Sequence, residues 1–197
     1  MPTLYPTPST VLAVRALGDR LGVDLSGSSA VASTLARLER PRGHVVQWEG
    51  EAADWAYLVL EGAARSYTLD DGEAHVAWFA FEGDVLASPE SLTGSPAPET
   101  IELVEPSLLV SIDVRALRPL VGRDATVTAL ALALVSEHAR ALAEEIRALR
   151  SLSAAERYAL LQDRAPDVLR RVRLQDVASY LGVARETLSR IRAGGRL

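Results

Sequence analysis

The stretch Leu174-Gln-Asp-Val-Ala-Ser-Tyr-Leu-Gly-Val-Ala-Arg-Glu-Thr-Leu-Ser-Arg-Ile191 has the residue types that a helix-turn-helix demands. Two short helices crossing steeply around one small core need a small side chain where they touch, and Ala178 stands there. The turn needs a residue tolerant of left-handed dihedrals, which is Gly182. Val177, Leu181, Val183, Leu188 and Ile191 occupy the places that close the core. The second helix, 184–193, then has Arg185, Glu186, Ser189 and Arg190 on its complementary face. Arginine bonds both acceptors of guanine and glutamate accepts from the cytosine amino group, so these four are the candidate base contacts. Arg170, Arg171 and Arg173 before the motif, with Thr187 and Arg192 at the flanks, are the candidate phosphate contacts that would hold register. The competing reading is a helical pair used for protein contact, its arginines merely solvating it.

Upstream, Ser153–Arg164 reads as a helix ended by Ala165-Pro166-Asp167, with a short turn of helix over Asp167–Arg171 and a final stop at Gly194-Gly195. Before these, Arg123–Leu149 contains no Gly or Pro and is rich in Ala, Leu, Glu and Arg, a helix of ~40 Å at 1.5 Å per residue. Within it Thr128, Leu132, Val135, Ala139, Leu142, Ile146 and Leu149 fall alternately four and three apart, the seam of a short coiled coil. A helix packing that face on its own domain is the alternative, but the length exceeds what a small sheet covers. Dimerisation is therefore expected.

From about 44 to 112 the pattern is different: short apolar runs end in glycine and acidic turns. The runs are His44–Trp48, Trp55–Leu60, Ala63–Leu69, His75–Phe81, Ile101–Val104 and Leu108–Ile112, with Asp71-Gly72 a hairpin signal. They predict an antiparallel sandwich, roll or jelly roll. Trp48, Trp55, Trp78, Tyr57 and Tyr67 lie within these runs and are expected in the core. Residues 9–38 read as helical, with Val11, Leu12, Val14, Leu17 and Leu21 at helical spacing, a turn at Asp24–Ser29, and a second helix over Ala30–Leu38. The expected class is α+β: N-terminal helices over 1–38, the β-roll over 39–116, the dimerisation helix over 117–150 and an all-α helix-turn-helix domain over 151–197.

Composition narrows the chemistry. The 197 residues include no cysteine and no lysine, all 21 basic side chains being arginine. That excludes thiolate, disulfide, iron–sulfur and Schiff-base chemistry and the lysine of nucleotide-binding P-loops. Residues 1–139 carry 9 Arg against 19 acidic side chains, and residues 140–197 carry 12 against 7. An acidic body with a basic tail fits a protein whose tail alone meets a polyanion. The longest apolar run, Ala129–Val135, is too short to span a bilayer, and the first residues lack the pattern of a signal peptide. No membrane partner and a cytoplasmic location are expected.

The order of sheet module, long helix and helix-turn-helix resembles the Crp/Fnr family of bacterial transcription regulators over about residues 40–193. Arg185-Glu186-Thr187-Leu188-Ser189-Arg190 looks like the family's recognition signature, and Gly50, Gly62 and Gly83 match turns of its cyclic-nucleotide-binding roll. Trp78-Phe79-Ala80-Phe81-Glu82, Ser91-Leu92-Thr93-Gly94 and Ala178-Ser179-Tyr180-Leu181-Gly182-Val183 look like a short-chain, cyclic-nucleotide-binding-like subgroup. The resemblance implies a homodimer on double-stranded DNA, base reading by Arg185, Glu186 and Arg190, and RNA polymerase as a further partner. It also points to Glu90, Ser91 and Thr100 as an effector pocket, with Glu90 in a ribose-gripping role. Two departures stand out. Where nucleotide-binding members have a Gly-Glu-Leu motif and a phosphate-pairing arginine, this chain has Leu86-Ala87-Ser88-Pro89-Glu90 and Pro96-Ala97-Pro98-Glu99-Thr100, and no arginine lies between Arg65 and Arg115. Binding of cyclic AMP in the usual way is not expected. The larger members also follow the recognition helix with a β-hairpin wing, whereas this sequence stops at Leu197, which implies fewer phosphate contacts and more salt-sensitive binding.

Two other classes stay open on sequence. A cupin-like enzyme shares the strand spacing, but His44, His75 and His138 lack the His-x-His grouping of a metal cupin, so neither metal nor cofactor is expected. A regulator that senses through protein docking on the roll is the other.

Overall fold

The computed structural model describes residues 8–194; the readings of residues 1–7 and of Gly195 fall outside them. The chain runs through α1 (Pro8–Leu21), α2 (Ser29–Ala32), β1 (Leu35–Arg40), β2 (Val45–Gln47), β3 (Trp55–Glu61), β4 (Ala64–Asp70), β5 (Glu73–Ala80) and β6 (Val85–Leu86). It continues with α3 (Glu90–Thr93), β7 (Thr100–Leu103), β8 (Ser107–Asp113), α4 (Val114–Leu117) and a 3-10 turn at Arg118–Leu120. Five helices follow: α5 (Ala125–Ser151), α6 (Ala154–Arg164), α7 (Val168–Arg171), α8 (Leu174–Tyr180) and α9 (Arg185–Arg192).

The strands form two antiparallel sheets, ordered β1-β8-β3-β6 and β2-β7-β4-β5. Tyr57, Val59, Ala64, Leu86, Leu103 and Leu109 fill the space between them. The alternate residues of β3 and β8, Ala56, Leu58, Val110 and Ile112, face outward and are covered by α1, α4 and the start of α5. Both faces of β3 are therefore buried, which is why its sequence reads as one apolar run rather than an alternation. The outer face of the second sheet is also covered, by α6 to α9. The result is four layers: helices, sheet, sheet, helices.

Local chemistry sets the turns. Asp71 (φ 48°) and Gly72 (φ 81°) both adopt the left-handed region, as a two-residue primed hairpin between β4 and β5 requires. At Gly62 (φ 105°) a Cβ would lie 2.8 Å from the Cα of Ser107, so only glycine passes there. The chain between 29 and 38 departs from the sequence reading. A single helical turn, α2, capped by Ser28 on Val31, gives way to β1, which pairs with β8 from Leu35↔Ile112 to Arg40↔Ser107. The roll thus begins at Leu35 rather than 39, and α5 begins at Ala125 after α4 and the 3-10 turn. Trp48 and Trp55 are a second correction: both are exposed, at 52% and 37%, while Tyr57 and Tyr67 are core.

Helix α5 is capped by Asp124, whose carboxylate accepts from the Val127 amide at 2.9 Å. Only its first turns are buried, through Val127, Leu130 and Ala131. Beyond them Leu132, Val135, Leu142, Ile146 and Leu149 stand exposed in one stripe. No single helix among the described residues is long and apolar enough to cross a membrane.

Candidate nucleic-acid interface

Three turns of backbone chemistry build the C-terminal helical unit. Ser153 opens α6 with a capping box: its hydroxyl accepts from the Glu156 amide, and the Glu156 carboxylate accepts from the Ser153 amide at 2.8 Å. Those bonds hold the Glu156 pKa below the usual carboxylate range. Helix α8 ends in a two-bond left-handed cap, with the Gly182 amide donating to Ser179 O at 2.9 Å and Val183 to Ala178 O at 3.0 Å. Gly182 supplies the required φ of 64°. The chain then enters α9. Val177, Ala178, Leu181 and Leu188 are buried between the two helices, with Val183 and Ile191 packed beside them, the arrangement their spacing predicts. Arg157 on α6 braces the turn from behind, donating to Leu181 O at 2.6 Å.

The outward face of α9 carries Arg185, Glu186, Ser189 and Arg190, all exposed. Thr187 is half-buried and its hydroxyl accepts from Arg190 at 3.0 Å, so it steadies that guanidinium. Arg192 is exposed at the end of the helix, and Arg173 is exposed at the start of α8. Arg170 is open as well, with 85% of its side chain exposed and only a loose 3.9 Å contact to Asp167. The arginines among these side chains all face solvent.

Arg171 is a correction. Its guanidinium is only 16% exposed and is engaged by Glu82 at 2.6 Å and Glu105 at 2.5 Å, over the ring of Phe81. Those hydrogen bonds raise its pKa far above the ordinary guanidinium value. Burial works against the Glu82 charge, yet the bonds from Arg171 and from the Gly62 amide leave the Glu82 pKa lowered. Arg171 is thus tied to the roll and is not free for a phosphate. Arg164 is used in the same way, bonded to Asp84.

The sequence reading missed the counterpart of these contacts. Asp176, on the first helix of the pair, is buried and accepts from Arg65 of β4, which also holds Glu102 of β7 at 2.7 Å. Burial disfavours the Arg65 charge, but Glu102 and Asp176 outweigh it and leave the pKa raised. An acid on the inner face of a helix in a basic segment is the one local sign of such a contact. Tyr180 also goes inward, edge-on to Phe79 with ring centres 5.5 Å apart, its hydroxyl on Glu145 of α5 at 3.2 Å. Burial and the Glu145 charge push its pKa up to about 12.

None of the three residues expected to line an effector pocket lines the cleft of the roll. Glu90 and Ser91 lie in the one-turn helix α3, where Glu90 Oε2 and Ser91 Oγ are buried without a partner. Thr100 starts β7, its hydroxyl taken by the Glu49 amide at 3.1 Å. The roll instead has a small cleft between Gln47, Trp55, Tyr57, Ser88 and Glu99. Its acid, Glu99, accepts from Trp78 Nε1 at 2.7 Å, and no guanidinium lines it. Among the described residues no group of His, Asp and Glu is placed to hold a metal ion.

Comparison with known proteins bears on this architecture. Residues 37–124 match the model of the cyclic nucleotide-binding domain. The chain is 22% identical over 184 residues to the CRP-like cAMP-activated global transcriptional regulator of Mycobacterium tuberculosis, covering 87% of this chain and 82% of that protein. The chain carries a cyclic nucleotide-binding domain and is similar to Crp/Fnr-type regulators. Among solved structures, FixK2 from Bradyrhizobium japonicum shares the fold of this chain at a TM-score of 0.69 and 24% identity, over 81% of this chain and 83% of that one. The Thermus thermophilus Catabolite Activator Protein aligns at a TM-score of 0.51 and 23% identity, over 95% and 83%. The relatives these comparisons name are transcription regulators rather than enzymes.

Proposed function

We propose that the protein is a homodimeric, sequence-specific DNA-binding transcription regulator that reads a near-palindromic site with α9. The observation that carries this is the open face of that helix: Arg185, Glu186, Ser189 and Arg190 point to solvent from a rigid helix pair, unclaimed by the rest of the chain apart from the Thr187 brace. Arg170, Arg173 and Arg192 surround them as phosphate contacts. The exposed stripe from Leu132 to Leu149 on α5 supports a dimer, with Ala139 the small position along it. Two copies related by a two-fold axis would place their recognition helices in successive major grooves, about 34 Å apart. A chromosomal DNA target goes with a cytoplasmic location. An RNA polymerase contact rests on the family alone.

The roll does not take cyclic AMP in the usual way. Its cleft offers the carboxylate of Glu99 and no cation, and a cyclic phosphate there would be desolvated against like charge. Isothermal titration with cyclic AMP gives no heat at micromolar protein on this reading; binding at that concentration refutes it. The direct test of the DNA reading is selection from random duplexes with the full chain. Enrichment of a two-fold site supports it, and failure to enrich any such site counts against it.

A further inference from the structure

We infer that the cleft of the roll takes a small organic cation, a primary amine or guanidine whose charged head meets Glu99 and whose hydrocarbon part lies against Trp55 and Tyr57. The inference rests on the reading that the roll does not hold cyclic AMP, and it names the class of molecule that suits the same cleft.

The side chains there have spent donors and kept acceptors. The Tyr57 hydroxyl donates to Val46 O at 3.2 Å, and the Gln47 amide nitrogen donates to Trp48 O at 3.0 Å. Trp78 Nε1 donates to one oxygen of Glu99 at 2.7 Å. That bond fixes the carboxylate and leaves its second oxygen without a hydrogen bond among the described residues. Ser88, whose hydroxyl both donates and accepts, is the remaining polar side chain of the lining.

The backbone gives an anion little either. Pro98 has no N–H, and the Ala97 amide is taken by Glu51 O at 2.8 Å. Beside Ser88, Pro89 also lacks an N–H. The next amides but one, of Ser91 and Leu92, turn back to Ser88 O and Pro89 O, both at 3.0 Å.

A carboxylate and aromatic faces with few donors around them favour a guest that brings donors and positive charge. The Trp55 ring already takes one guanidinium: Arg115 lies 5.2 Å from the ring centre, its charge matched by Asp113 at 2.9 Å. Leu86, Ala97 and Ile101 make the walls apolar, which suits a short hydrocarbon chain and not a polyamine charged along its length.

The chain has three tryptophans, so a proton–nitrogen correlation spectrum carries three indole signals, and that of Trp78 reports on Glu99 directly. The full chain is titrated at neutral pH and constant ionic strength with n-butylamine, n-butanol and butyrate, which are alike in shape and differ in charge. Butylammonium is expected to move the Trp78 signal saturably with a Kd of about 1 mM or below, and the other two to bind at least about tenfold more weakly. Glu99→Gln keeps an acceptor for Trp78 and removes the charge. It is expected to weaken butylammonium about tenfold and bring it level with butanol. Butyrate binding as tightly as butylammonium, no saturable shift with any probe, or an undiminished response in Glu99→Gln overturns the inference. If Glu99→Gln does not fold, the three wild-type titrations decide. Titration with cyclic AMP separates the two readings. Heat from cyclic AMP sinks the underlying one, whereas silence from both cyclic AMP and butylammonium leaves that reading standing and sinks the cation alone.

Discussion

Replacing Leu142 by glutamate on α5 strikes the exposed stripe near its middle. Leu132, Val135, Leu142, Ile146 and Leu149 keep between 40% and 67% of their surface open. Fully burying such a side chain is worth about 1.5–3 kcal/mol, so each has about 1 kcal/mol left to gain, and five on each of two protomers give about 10 kcal/mol. Association itself costs about 4–15 kcal/mol, so the stripe works close to its margin and one position is felt. Leu142→Glu removes about 1 kcal/mol from each protomer and sets two carboxylates against apolar neighbours, a total near 3 kcal/mol, or about a hundredfold in the dimer Kd. Sedimentation equilibrium across a protein dilution series reads this directly, with circular dichroism checking that the helix persists. A dimer Kd unchanged in Leu142→Glu refutes the assignment of the stripe, and with it the two-fold site.

Gly182→Ala puts a Cβ at φ 64° in open space, so it costs only the conformational strain, about 1 kcal/mol, read as a fall of a few degrees in Tm. Gly62→Ala meets backbone as well as strain and is expected to cost several times more, to the point of poor folding on expression. The Glu82 pKa is depressed in the folded state, so its contribution is present above the unfolded carboxylate value and disappears as pH falls through the lower folded one; Glu82→Gln flattens the acid limb of urea midpoints below about pH 4.5. Tyr180 is shifted the other way: the unfolded phenol ionises near pH 10 and the folded one at about 12, so stability is lost as pH rises across that window, and Tyr180→Phe removes that loss in alkaline unfolding curves.

The parts of this protein that sequence reveals are those whose physics is local. The helix pair at 174–191 is legible because its small core is closed by residues within one short stretch, and its turn requires Gly182. Most strands are legible because glycine and acidic turns punctuate them. The segment 30–38 misleads because one real helical turn, α2, precedes a strand, and the pairing that makes Leu35–Arg40 a strand is with residues 107–112. Arg171 misleads for the same reason: its neighbours suggest a basic patch, while its partners, Glu82 and Glu105, lie far back in the chain. The Arg65–Asp176 contact spans 111 residues and no local pattern announces it. The charge asymmetry, read as a tail bound for a polyanion, is partly spent inside the molecule, since Arg164 and Arg171 face acids of the body. Trp48 and Trp55 show the limit of alternation, because strand ends near a sheet edge leave large rings in solvent.

The most direct test is operator affinity and base selectivity of Arg185→Ala and Arg190→Ala, measured by titration against the selected site and its single-base variants. Each change is predicted to cost about 1–3 kcal/mol per half-site and to relax discrimination at one base pair in each half. Wild-type affinity and undiminished selectivity in both variants would contradict the assignment of α9 as the reading helix.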